Sequence, residues 1–240
     1  MSETELSNYH VHCFFCDGSG TPDEIIQKAI TANIKYLGFS SHAPVPFSSD
    51  WNMPFENLNK YISYIKSLRN RLNDNIQVFV GLEIDFIEEF PDLNPDSFRV
   101  KGIEYFIGSV HYLGTLPSGS RWTVDGSENE FRNGLEFTFH NDIQKLISAY
   151  FKKVVKMAVQ WQPDIIAHFD LVKKNNTGSK YFDENQKWYR SIVADSLRNI
   201  ARTGCILEIN TGGLLRKKIN DLYPSQWILE ECFRNNMNPV

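Results

Sequence analysis

The sequence has no long hydrophobic run and no excess of positive charge. None of its apolar segments approaches the roughly 20 residues that are needed to span a bilayer, and its acidic, polar start does not resemble a signal peptide. The net charge of −4 gives no electrostatic reason to expect nucleic acid or an anionic membrane as a partner. We therefore expect a cytoplasmic protein with neither kind of partner, while the sequence is silent on its oligomeric state.

Cysteine is also scarce. The 240 residues contain four cysteines, too few and too scattered for a disulfide framework. Cys13 and Cys16 have the C-x-x-C spacing of a redox or zinc pair, but no second pair completes a four-ligand site. We expect all four to be reduced thiols.

Apolar segments that are typical of buried strands alternate with helical patterns along the whole chain. Thr21, Pro22 and Glu24 have the pattern of a helix start with a capping box. Such alternation predicts an α/β fold with a parallel sheet and right-handed crossovers. The predicted strands are one around 10–12 and others at 35–42, 76–85, 105–111, 164–170 and 205–210, and the main helices follow Thr21 and lie at 58–72, 141–161, 183–200 and from Pro224.

A closed barrel and an open Rossmann sheet both fit this alternation. A Rossmann sheet requires a glycine-rich phosphate turn after the first strand, and none of that form is present. The pattern therefore favours a single barrel domain over 1–240, whose strand ends meet at one mouth. Residues 112–140 interrupt the pattern with weak periodicity, and we expect a long loop there that covers the substrate.

Five of the six histidines fall at or near the C-terminal ends of predicted strands. One pair is spaced so that both side chains point to the same face of a strand, and Glu83 lies late in another apolar strand. The sixth, His140, is expected at the surface. This clustering predicts a multinuclear metal site at the mouth of the barrel, built from His10, His12, His42, His111 and His168 together with Glu83.

Six motifs resemble the polymerase-and-histidinol-phosphatase (PHP) superfamily, most closely its histidinol-phosphatase branch. They are H-V-H-C-F-F-C-D-G-S-G, G-F-S-S-H-A-P, G-L-E-I-D-F, G-S-V-H-Y, A-H-F-D-L-V-K-K and E-I-N-T-G-G-L, and they follow one another over nearly the whole chain. The resemblance implies a distorted (β/α)7 TIM-like barrel that carries two or three divalent metal ions. The mixed imidazole and carboxylate ligands are compatible with zinc, manganese or iron.

The resemblance also implies a role for each ligand. His10 and His12 would bind the first metal, and Glu83 would bridge the first and second. His111 and His168 would complete the second, so that these two histidines and Glu83 form the catalytic set. The third metal would be bound by Asp17 and His42.

One motif of the family has no counterpart. Its members carry a D-x-H after the seventh strand, whose Asp serves the first metal and whose His serves the third. Pro239 and Val240 would begin that strand, where the sequence stops. We expect the barrel to lack its seventh strand and the first and third metals each to lack one ligand.

The activity implied is hydrolysis of a small phosphomonoester, L-histidinol phosphate, in histidine biosynthesis by attack of a metal-bound hydroxide on phosphorus. A PHP-type nuclease or another phosphoesterase is the alternative, and a truncated, inactive metal-binding relative is a further one. Cationic donors for the phosphate are expected at Lys173, Lys174 and Arg216, unless these are solvated loop charges.

Overall fold

The computed structural model describes residues 5–72, 76–216, 220–237 and 239–240. The chain divides into two compact units. The first comprises the residues up to Asp85 together with Glu89–Ile107, and the second comprises Phe86–Glu88 together with the residues from Gly108 onward. The prediction of a single domain stays a prediction.

The first unit is an α/β arrangement in which strands and helices alternate. Its strands follow the order β1, β2, β3, β4 in the sheet, and the β1–β2 and β2–β3 pairs are both parallel. The elements are β1 (Leu6–Val11), α1 (Pro22–Thr31), β2 (Ile34–Phe39), α2 (Leu58–Arg69), β3 (Gln77–Asp85), α3 (Pro95–Arg99) and the start of β4 (Tyr105–Ser109).

The local signals of α1 are confirmed. The Thr21 hydroxyl accepts from Glu24 N at 3.3 Å, and the Glu24 carboxylate accepts from Thr21 N at 2.9 Å, which completes the capping box. Ile26 and Ala29 are buried on the inner face of the helix. The capping box fixes the start of α1 at Pro22, so the turn that carries Asp17 runs from the end of β1 to Thr21.

Two glycines of the first sheet make room for one aromatic ring. A Cβ on Gly38 of β2 would lie 2.2 Å from the Tyr105 hydroxyl, and a Cβ on Gly81 of β3 would lie 2.3 Å from the Tyr105 ring. That hydroxyl donates to Tyr9 O at 2.6 Å. Glycine therefore allows the tyrosine of β4 to lie against the neighbouring strands and to bond back to β1.

The second unit holds the end of β4 and the remaining elements. Its sheet has the order β4, β7, β8, and β7 pairs with β8 in parallel. The elements are β5 (Tyr112–Thr115), β6 (Arg121–Thr123), α4 (Glu128–Phe139), α5 (Ile143–Trp161), β7 (Ile165–Ile166), α6 (Lys187–Ile200), β8 (Ile206–Leu207), α7 (Gly212–Leu215) and α8 (Gln226–Arg234). In the described part of the chain, no helix combines the length and apolarity of a membrane span.

Strands β7 and β8 are both shorter than predicted, and beyond β7 a polar side chain takes the place of a ladder bond. Beyond Ile166, the His168 backbone N–H donates to Glu208 Oε1 at 2.7 Å rather than to a neighbouring strand. Beside β8, Val240 N donates to Leu207 O at 2.9 Å and Val240 O accepts from Ile209 N. These two bonds follow the pattern of a parallel pair.

The prediction of a long loop over 112–140 is wrong. Strands β5 and β6 form an antiparallel hairpin, and helix α4 follows with the Ser127 hydroxyl accepting from Glu130 N at 3.1 Å. Trp122 is fully buried, and a Cβ on Gly134 would lie 2.4 Å from its ring. The segment folds because the indole ring of the hairpin packs directly on the helix backbone, a long-range contact that has no periodic signature.

The close approach around Tyr105 gives a test of the first sheet. We expect Gly81→Ala to lower the free energy of unfolding by about 1–3 kcal/mol, because the added methyl overlaps the ring. Urea denaturation measures this, with Tyr105→Ala as the background in which the penalty should largely disappear. A Gly81→Ala protein as stable as the parent, or an equal penalty in both backgrounds, would contradict the packing described here.

Candidate metal centre

Strand β1 directs two imidazoles to one point, as its residue spacing predicts. His10 and His12 stand two residues apart at the end of the strand, so their side chains leave from the same face. Their Nε2 atoms lie 3.2 Å from each other. Two ring nitrogens at this separation can share one partner, as the ligands of a metal ion do.

Glu83 provides the acceptor on which three histidines converge. Its Oε2 lies 3.1 Å from His10 Nε2, 3.0 Å from His12 Nε2 and 3.1 Å from His42 Nδ1. Burial raises the pKa of the Glu83 carboxyl, but His42, His10 and His12 outweigh burial and hold it well below its usual range. The side chain of residue 83 is therefore a buried carboxylate whose charged form is stabilised by these imidazoles.

Backbone pairing fixes the positions of two of these groups. Ala43 N donates to Glu83 O at 2.8 Å, and Glu83 N donates to Ser41 O at 3.2 Å. His42 thus forms a parallel bridge with Glu83 beyond the end of β2. The histidine and the carboxylate are held by rigid sheet backbone rather than by a mobile loop.

The donor set of His10, His12 and Glu83 fits a divalent metal ion. Their three ligand atoms are separated by 3.0–3.2 Å. Ligands that bind zinc tetrahedrally at 2.0–2.1 Å lie about 3.3 Å from one another. The spacing is within a few tenths of an ångström of a coordination shell, and two imidazoles with one carboxylate suit zinc, iron or manganese.

Asp17 contacts the far side of His12. Asp17 Oδ1 lies 2.8 Å from His12 Nδ1, an arrangement that fixes the ring and would leave its Nε2 to a metal ion. Burial raises the pKa of Asp17, but His12 and His42 outweigh it and lower that pKa to about 2. The direct binding of the third metal by Asp17 and His42 stays a prediction.

Cys16 is a neighbour of this centre that the sequence did not assign. Its sulfur lies 3.5 Å from Asp17 Oδ1, and with His12 and Asp17 it forms a group that could hold a metal ion. Cys13 is instead buried, with its sulfur 3.4 Å from Ser41 Oγ. All four cysteines are free thiols, as expected. The two members of the C-x-x-C thus have different surroundings, and only Cys16 adjoins predicted ligands.

The second unit brings the other two predicted ligands together. The rings of His111 and His168 have centroids 5.0 Å apart, and both residues are buried. His168 has a φ of 26°, outside the range of a strand, and its backbone N–H is held by Glu208. The sheet thus ends just before His168. The binding of the second metal by this pair stays a prediction, as does the catalytic set formed with Glu83. His140 is exposed, as expected.

Lys173 lies inside the second unit. Its ammonium lies 2.9 Å from Asp170 Oδ2 and 2.7 Å from Leu222 O, and it also contacts the Ser225 hydroxyl. Only 4% of its side chain is exposed. These contacts occupy all three donors of the ammonium, which favours a structural role over the phosphate binding that remains a prediction for this residue.

The other two predicted phosphate donors are more accessible. Lys174 contacts the Asp125 carboxylate at 3.2 Å with 29% of its side chain exposed. Arg216 follows the short helix α7 and is exposed. Both can reach a solute, and their contact with substrate stays a prediction.

Comparison with known families identifies the family of this chain. The family model of the PHP domain matches residues 8–212. The chain belongs to the PHP family. It is 31% identical over 228 residues to a "Probable histidinol-phosphatase" from Deinococcus radiodurans, covering 92% of this chain and 79% of the relative. The predicted family, in its histidinol-phosphatase branch, is confirmed.

Solved structures show the same fold as this PHP chain. The HisK structure from Listeria monocytogenes has a TM-score of 0.84 at 17% identity, over 98% of this chain and 93% of that one. The histidinol phosphate phosphatase of Lactococcus lactis, solved with zinc, L-histidinol and phosphate, has a TM-score of 0.73 at 22% identity, over 97% and 82%. The predicted α/β class is confirmed by these likenesses and by the parallel pairs.

The role of Glu83 in this PHP chain can be tested by metal analysis. We expect Glu83→Gln to lose most of its bound metal, because the amide carries no charge to offset a cation. Inductively coupled plasma mass spectrometry of the full chain, equilibrated with zinc and desalted, measures this. His140→Asn is the matched control, since it removes a histidine outside the site and asparagine tolerates its left-handed backbone. Equal metal contents in the two variants would contradict the assignment.

The surroundings of Lys173 predict a large effect on stability. We expect Lys173→Met to lower the free energy of unfolding by about 3–5 kcal/mol, because it leaves the buried Asp170 carboxylate without its cationic partner. Lys174→Met should cost about 1 kcal/mol or less, since its pair is partly exposed. Urea denaturation compares the two. Equal losses of unfolding free energy in the two variants would contradict the burial of the Lys173–Asp170 ion pair.

Proposed function

We propose that this chain is a metal-dependent phosphomonoesterase that hydrolyses L-histidinol phosphate to L-histidinol and phosphate. The observation that carries the proposal is the convergence of His10, His12 and His42 on the buried Glu83, in a chain of the PHP family. A relative at 31% identity named "Probable histidinol-phosphatase" supports the substrate. So does the fold shared with a structure holding L-histidinol and phosphate.

We propose that His10, His12 and Glu83 bind a first divalent ion and that His111 and His168 are ligands of a second. Asp17 and His42 are the proposed ligands of a third. Zinc is favoured by the imidazole-rich set, with manganese and iron as alternatives. When bound, such ions neutralise phosphate charge and lower the pKa of a water molecule so that it becomes a nucleophile at neutral pH.

The residues of the chain have three tasks in this scheme. Through its Oδ1, Asp17 orients His12 so that Nε2 of the ring would face the first metal, and the second oxygen of the same carboxylate is the one proposed for the third metal. Glu83 supplies negative charge where cations are to be bound. Lys174 and Arg216 are proposed to attract the phosphate dianion, a task for which a flexible, partly exposed cation is suited.

A phosphatase assay on the zinc-loaded chain tests the proposal. We expect phosphate release from L-histidinol phosphate, faster than from other phosphomonoesters and without cleavage of single-stranded DNA. Chelation should abolish the activity, and adding back zinc, manganese or iron should show which ion restores it. Glu83→Gln replaces a direct ligand. Its loss of activity should therefore exceed the roughly 10–100-fold that is typical when a residue orienting a ligand is replaced.

Two results would contradict the proposal. Full activity after chelation and desalting would exclude a metal-dependent reaction. Hydrolysis of DNA or of unrelated phosphomonoesters in preference to histidinol phosphate would leave the metal centre in place and exclude the substrate.

A further inference from the structure

The second unit contains a polar cavity that the sequence analysis did not foresee. Its volume is about 510 Å³, within the range of small-molecule sites. Residues 125–128, at the start of α4, form one side of it, and Lys174, Asn175, Thr177 and Lys180 form the other. The lining carries charges of both signs, which suits a ligand that is itself charged at more than one point.

Backbone bonds place this cavity next to the two histidines of the unit. Val124 N donates to His111 O at 2.9 Å, so Asp125 is the first residue beyond a direct pairing with a predicted metal ligand. On the other side, Leu171 N donates to His168 O at 3.0 Å and Lys174 N to Leu171 O at 2.9 Å. Both walls therefore continue from segments that carry His111 and His168.

A side-chain amide joins the two walls. Asn175 Nδ2 lies 3.4 Å from Val124 O and 3.3 Å from Gly126 O. Asp125 is thereby flanked on both sides by residues bonded to the same asparagine. This fixes the backbone of residue 125 more firmly than that of an ordinary loop residue.

The two carboxylates of the cavity differ in exposure. Asp125 pairs with Lys174 at 3.2 Å, and 26% of its side chain is exposed. Glu128 pairs with Lys180, and 57% of its side chain is exposed. Because solvent screens an exposed charge more strongly, Asp125 is the carboxylate able to bind a cation tightly.

Asp125 is an anion at neutral pH. Its ion pair with the Lys174 ammonium at 3.2 Å stabilises this charged form. A carboxylate offers about four acceptor positions, so its pairing with one lysine leaves capacity for a second cationic donor.

Resting on the proposed function, we propose that Asp125 is a specificity residue that binds the ammonium group of the substrate in this cavity. Histidinol phosphate carries an ammonium group and an imidazole beside its phosphate ester. An anchored, partly desolvated carboxylate next to His111 and His168 would select such an amino-alcohol phosphate over phosphomonoesters that lack a cation.

The test compares two substrates and two matched variants of the zinc-loaded full chain. L-Histidinol phosphate carries the ammonium group, and p-nitrophenyl phosphate has no cation. We expect Asp125→Asn to lower the ratio of kcat/KM between the two substrates by about 10- to 100-fold, the size expected for a hydrogen bond between charged groups. Glu128→Gln removes the other carboxylate of the cavity and should leave the ratio within about twofold.

A second measurement, inhibition by the product L-histidinol, tests binding separately from catalysis. L-Histidinol, which keeps the ammonium group, should inhibit the parent and Glu128→Gln equally and Asp125→Asn more weakly by the same factor. Should Asp125→Asn not fold, as judged by circular dichroism, Asp125→Ser takes its place.

Two outcomes would overturn the inference. One is a ratio of kcat/KM that Asp125→Asn leaves unchanged, whether or not both rates fall, and the other is an equal change of that ratio in Glu128→Gln. Each is distinguishable from failure of the proposed function, in which the unmodified chain would hydrolyse p-nitrophenyl phosphate and not histidinol phosphate.

Discussion

The first unit depends on one buried carboxylate oxygen. A charge of this kind costs several kcal/mol to remove from water unless it is paired, and Glu83 Oε2 is paired by imidazoles from residues 10, 12 and 42. His10 lies near the end of β1, His12 and His42 lie just beyond β1 and β2, and the carboxylate lies on β3. The same atoms that would hold a divalent ion also pair this buried charge where the ends of three strands come together, so metal binding would be coupled to the folding of this unit.

Residue spacing was sufficient to predict part of this centre. The i, i+2 pair of His10 and His12 had to share a face once β1 formed, and a carboxylate at position 83 inside an apolar strand had to find partners. The contact of Asp17 could not be predicted in the same way. Whether a carboxylate after a turn binds a metal or the far nitrogen of His12 depends on a side-chain rotamer, and the sequence pattern is the same in both cases.

Lys173 and Lys174 show a second limit of sequence reasoning. The residues are adjacent and chemically identical, but Lys173 ends a short 3₁₀ turn over Leu171–Lys173 and Lys174 caps it, and successive side chains of such a turn point about 120° apart. One ammonium enters the interior beside Asp170, and the other reaches Asp125 in the cavity. The acceptors that separate their roles lie far along the chain, at Ser225 and Leu222 for one and at Asp125 for the other.

Residues 112–140 were expected as a loop because their apolar positions follow neither the 3.6-residue period of a helix nor the two-residue period of a strand. Their order arises from tertiary contacts instead: the Trp122 ring lies on Gly134, and Glu130 Oε1 accepts from Thr123 N at 2.7 Å. This packing has a chemical consequence. It holds the hairpin to the start of α4, so that Asp125 between them has a defined position relative to His111. A carboxylate on such a rigid support needs no ordering when a cation binds, which favours selectivity over adaptability.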